Sequence, residues 1–325
     1  MANKNVLDIL SIKPTSVGRD LQGKFILVYG APKSGKTSFA ARMPDNLLCA
    51  FETGYNALSN IKAVDIDKWA TFKLVLRQLK SNEAKDMYKT ITIDTAGIAY
   101  TLCEEYICSQ QGVTSISEIP WGAGYALVEK EFQNCLRQIT QMGYGLVLIS
   151  HSATRIEKTS DGSEIEIVAP DLQKRAYKII NQLVDIIGYI DVQWDEDGNS
   201  RRYLYTRKTP RLMAGSRFKY LAPKIPFGYD ELTKAVGEAI DKEAAENNTV
   251  VLEHHENNVK IEHSFNEIRE EARVLWDELI QKDTQNADKI MKIIQNIFGH
   301  PMKLSEITES QKDLFELVVV EMKEL

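Results

Sequence analysis

The chain has 325 residues, 43 % hydrophobic and 26 % charged, with a formal net charge of −6. This length accommodates one large domain and a small one, and the composition excludes a disordered or fibrous chain. No apolar run approaches the ~20 residues needed to cross a bilayer, and residues 1–6 lack the apolar core of a secretory signal, so the expected location is the cytoplasm with no membrane partner. Cys49, Cys103, Cys108 and Cys135 show no C-x-x-C spacing and read as reduced thiols rather than a disulfide frame or a zinc site.

Residues 1–23 read as a short helix (Val6, Leu7, Ile9, Leu10) and a turn-rich lead-in. The apolar run 25–29 then meets Gly30-Ala31-Pro32-Lys33-Ser34-Gly35-Lys36-Thr37, a full G-x-x-x-x-G-K-[ST] phosphate loop, and Ser38 opens a helix-compatible stretch. Strand, loop and helix in that order are the context this motif requires. The glycines let backbone N–H groups turn towards phosphate oxygens, and the helix N-terminus adds partial positive charge. Lys36 suits the outer phosphates and the Thr37 hydroxyl suits Mg²⁺. Residues 30–38 are therefore the expected cofactor-binding segment, with ATP and Mg²⁺ as cofactors.

Three further strand candidates follow at 47–51, 90–94 and 146–150, with helical spacing over 69–80 and 129–142. Alternating strands and helices predict an α/β fold with a mostly parallel central sheet. In such a sheet the carboxyl ends of the strands share one rim with the phosphate loop. Asp94 ends the third strand, where its carboxylate reaches Mg²⁺ through water. Glu52 follows the second and suits orienting and deprotonating an attacking water. His151 follows the fourth and suits sensing the outer phosphate.

Beyond residue 150, period-2 alternation over 155–168 and 189–205, each around a Gly-containing turn, predicts antiparallel hairpins. Residues 241–262 read as an acidic polar linker, and 263–325 as a small C-terminal bundle of about three helices. The part 241–325 carries −9 and the remainder +3, while 201–224 holds eight basic residues and no acidic one, compatible with a polyanion partner. His254-His255-Glu256 lacks a third ligand at useful spacing and is read as no metal site.

The order phosphate loop, Glu52, Asp94, His151 and a hairpin resembles the RecA-type recombinase core. The wording Phe51-Glu52-Thr53-Gly54-Tyr55, Ile93-Asp94-Thr95 and Trp121-Gly122-Ala123-Gly124-Tyr125 is similar to phage RecA-like ATPases of the single-strand-annealing type, the fourth Sak group related to RadB-like paralogues. The resemblance covers about 24–240. It implies Glu52 as general base and His151 in the sensor position, where RecA carries Gln. It also implies two loops for single-stranded DNA, 109–125 and 152–175. Trp121 and Tyr125 would stack on bases; Arg155, Lys158, Lys174 and Arg175 would track phosphates. The alternatives are that Trp121 packs on the core and that the hairpin is merely solvated. Arg207 and Lys208 match residues that reach a neighbour's ATP in a ring or filament, and Arg211 and Arg217 suit either that role or DNA. The implied function is an ATP-hydrolysing phage recombination protein that binds and anneals single strands, with a single-strand-binding protein as a candidate partner. A RecA-like hexameric helicase and a nucleotide switch that binds protein partners stand as alternatives.

Overall fold

The computed structural model describes residues 17–158, 162–247, 251–252 and 264–325. The expected N-terminal helix, Ser160 and Asp161 of the first hairpin turn, most of the polar linker and His254–Glu256 lie outside them. The described residues fall into two compact units, 17–252 and 264–325.

In the larger unit the elements run β1 (Val17–Gly18), β2 (Phe25–Gly30), α1 (Lys36–Ala40), β3 (Asn46–Ala50), β4 (Lys62–Asp65), α2 (Trp69–Gln78), α3 (Asn82–Met87), β5 (Thr90–Asp94), α4 (Ala96–Gln111) and α5 (Ala123–Gln141). There follow β6 (Gly145–Lys158), β7 (Glu164–Pro170), α6 (Lys174–Leu183), β8 (Ile186–Trp194), β9 (Ser200–Tyr205), β10 (Gly215–Ser216), β11 (Lys224–Pro226), α7 (Tyr229–Asn247) and β12 (Val251–Leu252). The main sheet has the order β11-β9-β8-β2-β6-β5-β3-β4, with β7 on β6 and β10 on β8. The run β8-β2-β6-β5-β3-β4 is parallel; β9, β11, β7 and β10 are antiparallel.

The parallel strands are apolar on both faces because helices cover both. Along β2, Leu27 and Tyr29 enter the core roofed by α2, α4, α5 and α6, while Ile26 and Val28 enter the core roofed by α1 and α7. Helix α7 continues past residue 241, into the segment read as linker, because Ala244 still has a buried face. All four cysteines are buried and free, and burial pushes the Cys49 and Cys135 thiols up to about 12, as expected of inert thiols.

The second unit contains α8 (Phe265–Lys282), α9 (Asn286–Phe298) and α10 (Lys312–Lys323). A capping box closes the start of α8, with Glu267 N donating to Ser264 Oγ at 3.3 Å and Ser264 N donating to Glu267 Oε2 at 2.6 Å. Gly299, at φ 77°, ends α9 in the left-handed region. Ile268, Ala272, Leu279, Ile290, Ile294, Phe315, Val318 and Met322 form its core.

Candidate nucleotide site on the strand rim

Strand β2 delivers Gly30 to the rim, and the chain turns through 31–35 into α1. Gly35 sits at φ 99°, a conformation that favours glycine. At Gly30 a Cβ would lie 2.9 Å from the Ile190 carbonyl oxygen, so β8 can pass only a glycine. Lys36 is 6 % exposed and folds back, its Nζ donating to Gly30 O at 3.0 Å and Ala31 O at 2.8 Å. Burial lowers its pKa, opposed by the negative charges of Asp94 and Glu52.

The strand register assembles the rest. Gly30 stands opposite His151 across β2–β6, Asp94 opposite Ile149 across β5–β6, and Ala50 opposite Asp94 across β3–β5. Two residues beyond Ala50, Glu52 N donates to Asp94 O at 3.2 Å. Four neighbouring strand ends thus bring the loop, Glu52, Asp94 and His151 together. Thr37 Oγ1 donates to Asp94 Oδ2 at 2.7 Å. The pair is a hard-oxygen donor set of the kind Mg²⁺ takes. Asp94 is 3 % exposed. Burial raises its pKa most, Glu52 raises it further, and the Thr37 bond, Lys36 and His151 oppose the rise. His151 Nε2 lies 3.4 Å from both Glu52 carboxylate oxygens. The buried Ser34 Oγ and His151 Nδ1 have no hydrogen-bond partner among the described residues. Buried polar atoms left unpaired are costly and ask for a ligand or water.

The segment 109–125 is less loop than expected. Helix α4 runs to Gln111, capped by Gly112 at φ 66°, and α5 begins at Ala123. Between them Ile116 and Ile119 are buried, and a capping box joins Ser115 and Glu118. Gly124 lets α5 close on this turn, since a Cβ there would meet Ile116 O at 2.8 Å. The firm turn holds Trp121 outwards at 102 % exposure with φ 60°. The alternative of Trp121 packing on the core is thereby overturned.

Tyr125 lies under the Arg175 guanidinium, 4.8 Å from ring centroid to Cζ, and Arg175 also pairs with Glu129. Arg155 donates to Pro170 O, at 3.0 Å, and to Leu172 O, fastening the base of the β6–β7 hairpin. Lys158 and Lys174 are exposed. Arg207 donates to the carbonyls of Ser216 (2.9 Å), Phe218 (2.5 Å) and Lys219 (2.9 Å). Arg217 pairs with Asp185 at 3.1 Å. These two guanidiniums are engaged within their own chain, which stands against their reaching a neighbour; Lys208 and Arg211 remain exposed. Sequence reasoning passed over Arg202, whose Nη1 comes 3.5 Å from Ser34 O. Its basic neighbourhood was visible, but its place over the loop depends on strand register.

Among the described residues no helix is long and apolar enough to cross a membrane, and no group of three or more His, Cys, Asp or Glu is placed to hold a metal ion. Compared with known proteins, residues 22–218 match the family described as AAA domain. The chain is also 27 % identical, over 98 % of its own length and 98 % of the relative's, to the SPbeta prophage-derived uncharacterized protein YorG of Bacillus subtilis (strain 168). With the phosphate loop, the Thr37–Asp94 pair and the parallel sheet inside the matched region, the chain belongs to the AAA-domain family of P-loop NTPases.

Proposed function

We propose that this protein is a phage-derived, RecA-like ATPase of the single-strand-annealing kind, which hydrolyses Mg–ATP and binds single-stranded DNA. The observation that carries the reading is β6, a single strand from Gly145 to Lys158. Its inner half lies in the core sheet, His151 faces Glu52 at the rim, and its outer half pairs with β7 in the hairpin that carries Arg155 and Lys158 beside Glu157, Glu164 and Glu166. One strand joins the reaction edge of the site to the hairpin that the resemblance assigns to single-stranded DNA.

In this reading residues 30–38 cradle the phosphates and Lys36 leaves the Gly30 and Ala31 carbonyls for the outer ones. Thr37 and Asp94 would hold Mg²⁺, which would supply charge neutralisation at the phosphates. Glu52 takes a proton from the attacking water at its carboxylate. His151 orients that carboxylate and transmits its position to the hairpin. Trp121 offers a stacking face for a base, and Lys158 and Lys174 attract phosphates. The prophage origin of the similar protein fits a phage role.

The test is ATP hydrolysis with and without single-stranded DNA at two salt concentrations, beside Lys36→Ala and Glu52→Gln. Stimulation that fades with salt and vanishes in both variants is expected. Hydrolysis indifferent to DNA overturns the DNA reading. It would favour a partner-binding switch, for which the helical unit supplies a groove of about 790 Å³ lined by Arg269, Arg273, Trp276, Met291, Lys303 and Leu304.

A further inference from the structure

The phosphate loop has two flanks. On one, β6, β5 and β3 bring His151, Asp94 and Glu52. On the other, β8 and β9 rise past the loop. Ile190 stands opposite Gly30 on β2 and opposite Leu204 on β9, and two steps further along the hairpin Val192 stands opposite Arg202. Alternation along β9 settles the face. Leu204 enters the core shared with α1 and α7, so Arg202, two residues away, projects on the α1 side.

Its guanidinium reaches the loop itself. Nη1 lies 3.5 Å from Ser34 O, and a Cβ placed on Gly35 would strike it. Phe227 stands beside it: Phe227 N donates to Arg202 O at 2.9 Å, its Cε1 would lie 3.7 Å from the same Gly35 Cβ, and its ring meets Phe39 of α1 at 5.2 Å. Arg202 is exposed and has no carboxylate partner among the described residues. An unpaired guanidinium beside a loop built to hold phosphate is a fork for an anion.

We propose that Arg202 binds the nucleoside-proximal phosphate of the nucleotide from within the same chain, with Phe227 walling the nucleoside side of the site. This rests on the nucleotide reading above. The assignment follows from charge. Glu52 and Asp94 define the flank where Mg²⁺ and the outermost phosphate belong, so the chain of phosphates leads away from it, towards β9. Arg207, engaged with its own carbonyls, does not compete for that anion.

The experiment measures Mg-dependent binding of ATP, ADP and inorganic tripolyphosphate to the full chain and to Arg202→Ala, Arg202→Lys, Phe227→Leu and Lys36→Ala. Arg202→Ala is expected to weaken ATP and ADP alike, by about 10- to 100-fold, the range of a charged hydrogen bond, and Arg202→Lys to recover part of the loss. Phe227→Leu is expected to weaken both nucleotides and leave tripolyphosphate unchanged. Loss of ATP with ADP unaffected would put Arg202 at the outermost phosphate and overturn the placement. Unchanged affinity for all three in Arg202→Ala would leave the residue a mere companion of the Ser34 carbonyl and sink the proposal. Failure of the nucleotide reading looks different: the wild-type chain would bind neither nucleotide, or Lys36→Ala would bind both undiminished.

Discussion

The nucleotide rim and the helical unit handle buried polarity in opposite ways. In the helical unit the buried Asn286 is satisfied on both ends: Nδ2 donates to Leu279 O at 2.9 Å and Oδ1 accepts from Lys289 at 2.9 Å. Its first helix starts on a closed capping box. At the rim, Lys36 and Asp94 are buried charges, and the Ser34 hydroxyl and His151 Nδ1 are buried without partners among the described residues. The helical unit is arranged for stability. The rim keeps polar atoms poised for a ligand at a cost to the free protein, the usual conflict at functional sites.

Glu52→Gln is the hardest test of the rim as a reaction site. It should lower ATP turnover by about 100- to 10,000-fold, the span of a general base, with nucleotide affinity kept; comparison of turnover with ADP binding reads this, and preserved turnover removes Glu52 from the role. In the helical unit, Phe315→Ala should cost about 3–5 kcal/mol, the range for emptying a buried aromatic site, seen as faster hydrogen exchange across α8, α9 and α10; exchange unchanged there would contradict a core centred on Phe315. Smaller than both is the effect of Trp121→Ala. It should weaken single-stranded DNA binding by roughly 5- to 150-fold, as one lost base stack does, while thermal stability stays put because the ring is fully exposed. Unaltered DNA affinity would free Trp121 from that role.

The smallest effect is the most diagnostic of the comparison. Burial holds the Asp94 carboxyl above its ordinary range, so the folded chain takes up this proton more readily than the unfolded one. The ionised form is then a stability cost that is carried in full above the folded pKa. It is relieved as pH falls towards the unfolded value of about 3.9. Asp94→Asn should therefore raise Tm at neutral pH by a few degrees, on the order of 2–4 °C per kcal/mol in a unit of this size. The gain should shrink on acidification, and Mg²⁺-dependent nucleotide binding should be lost. A variant that melts lower at pH 7 would mean that the Thr37–Asp94 bond outweighs the burial cost.

Local chemistry accounts for what was legible in the sequence. The phosphate loop is contiguous, and its glycines, lysine and threonine act within one turn of chain, so Gly30–Thr37 could be read without a fold. Strands β3 and β5 and the inner half of β6 were legible because apolar runs long enough for a strand and bounded by polar residues have few other fates. The three C-terminal helices followed from apolar spacing. The edge strand β4, the short strands β10 and β11, and the helices α4, α6 and α7 gave weaker signals, since their burial depends on neighbours distant in sequence. The roles of the basic residues between 201 and 224 were illegible for the same reason. Arg207 and Arg217 are spent on carbonyls and a carboxylate of their own chain, while Arg202 is delivered over the phosphate loop. Trp121, equally, offered no clue between core and surface. The sequence by itself determined the nucleotide loop and the alternation of elements, because both are set by short-range backbone chemistry and periodicity. Only the tertiary structure decided which strand ends share the rim, which arginine faces the loop and which tryptophan faces water, because those outcomes depend on strand order and register, where a two-residue step along a hairpin moves a side chain from the core to the site.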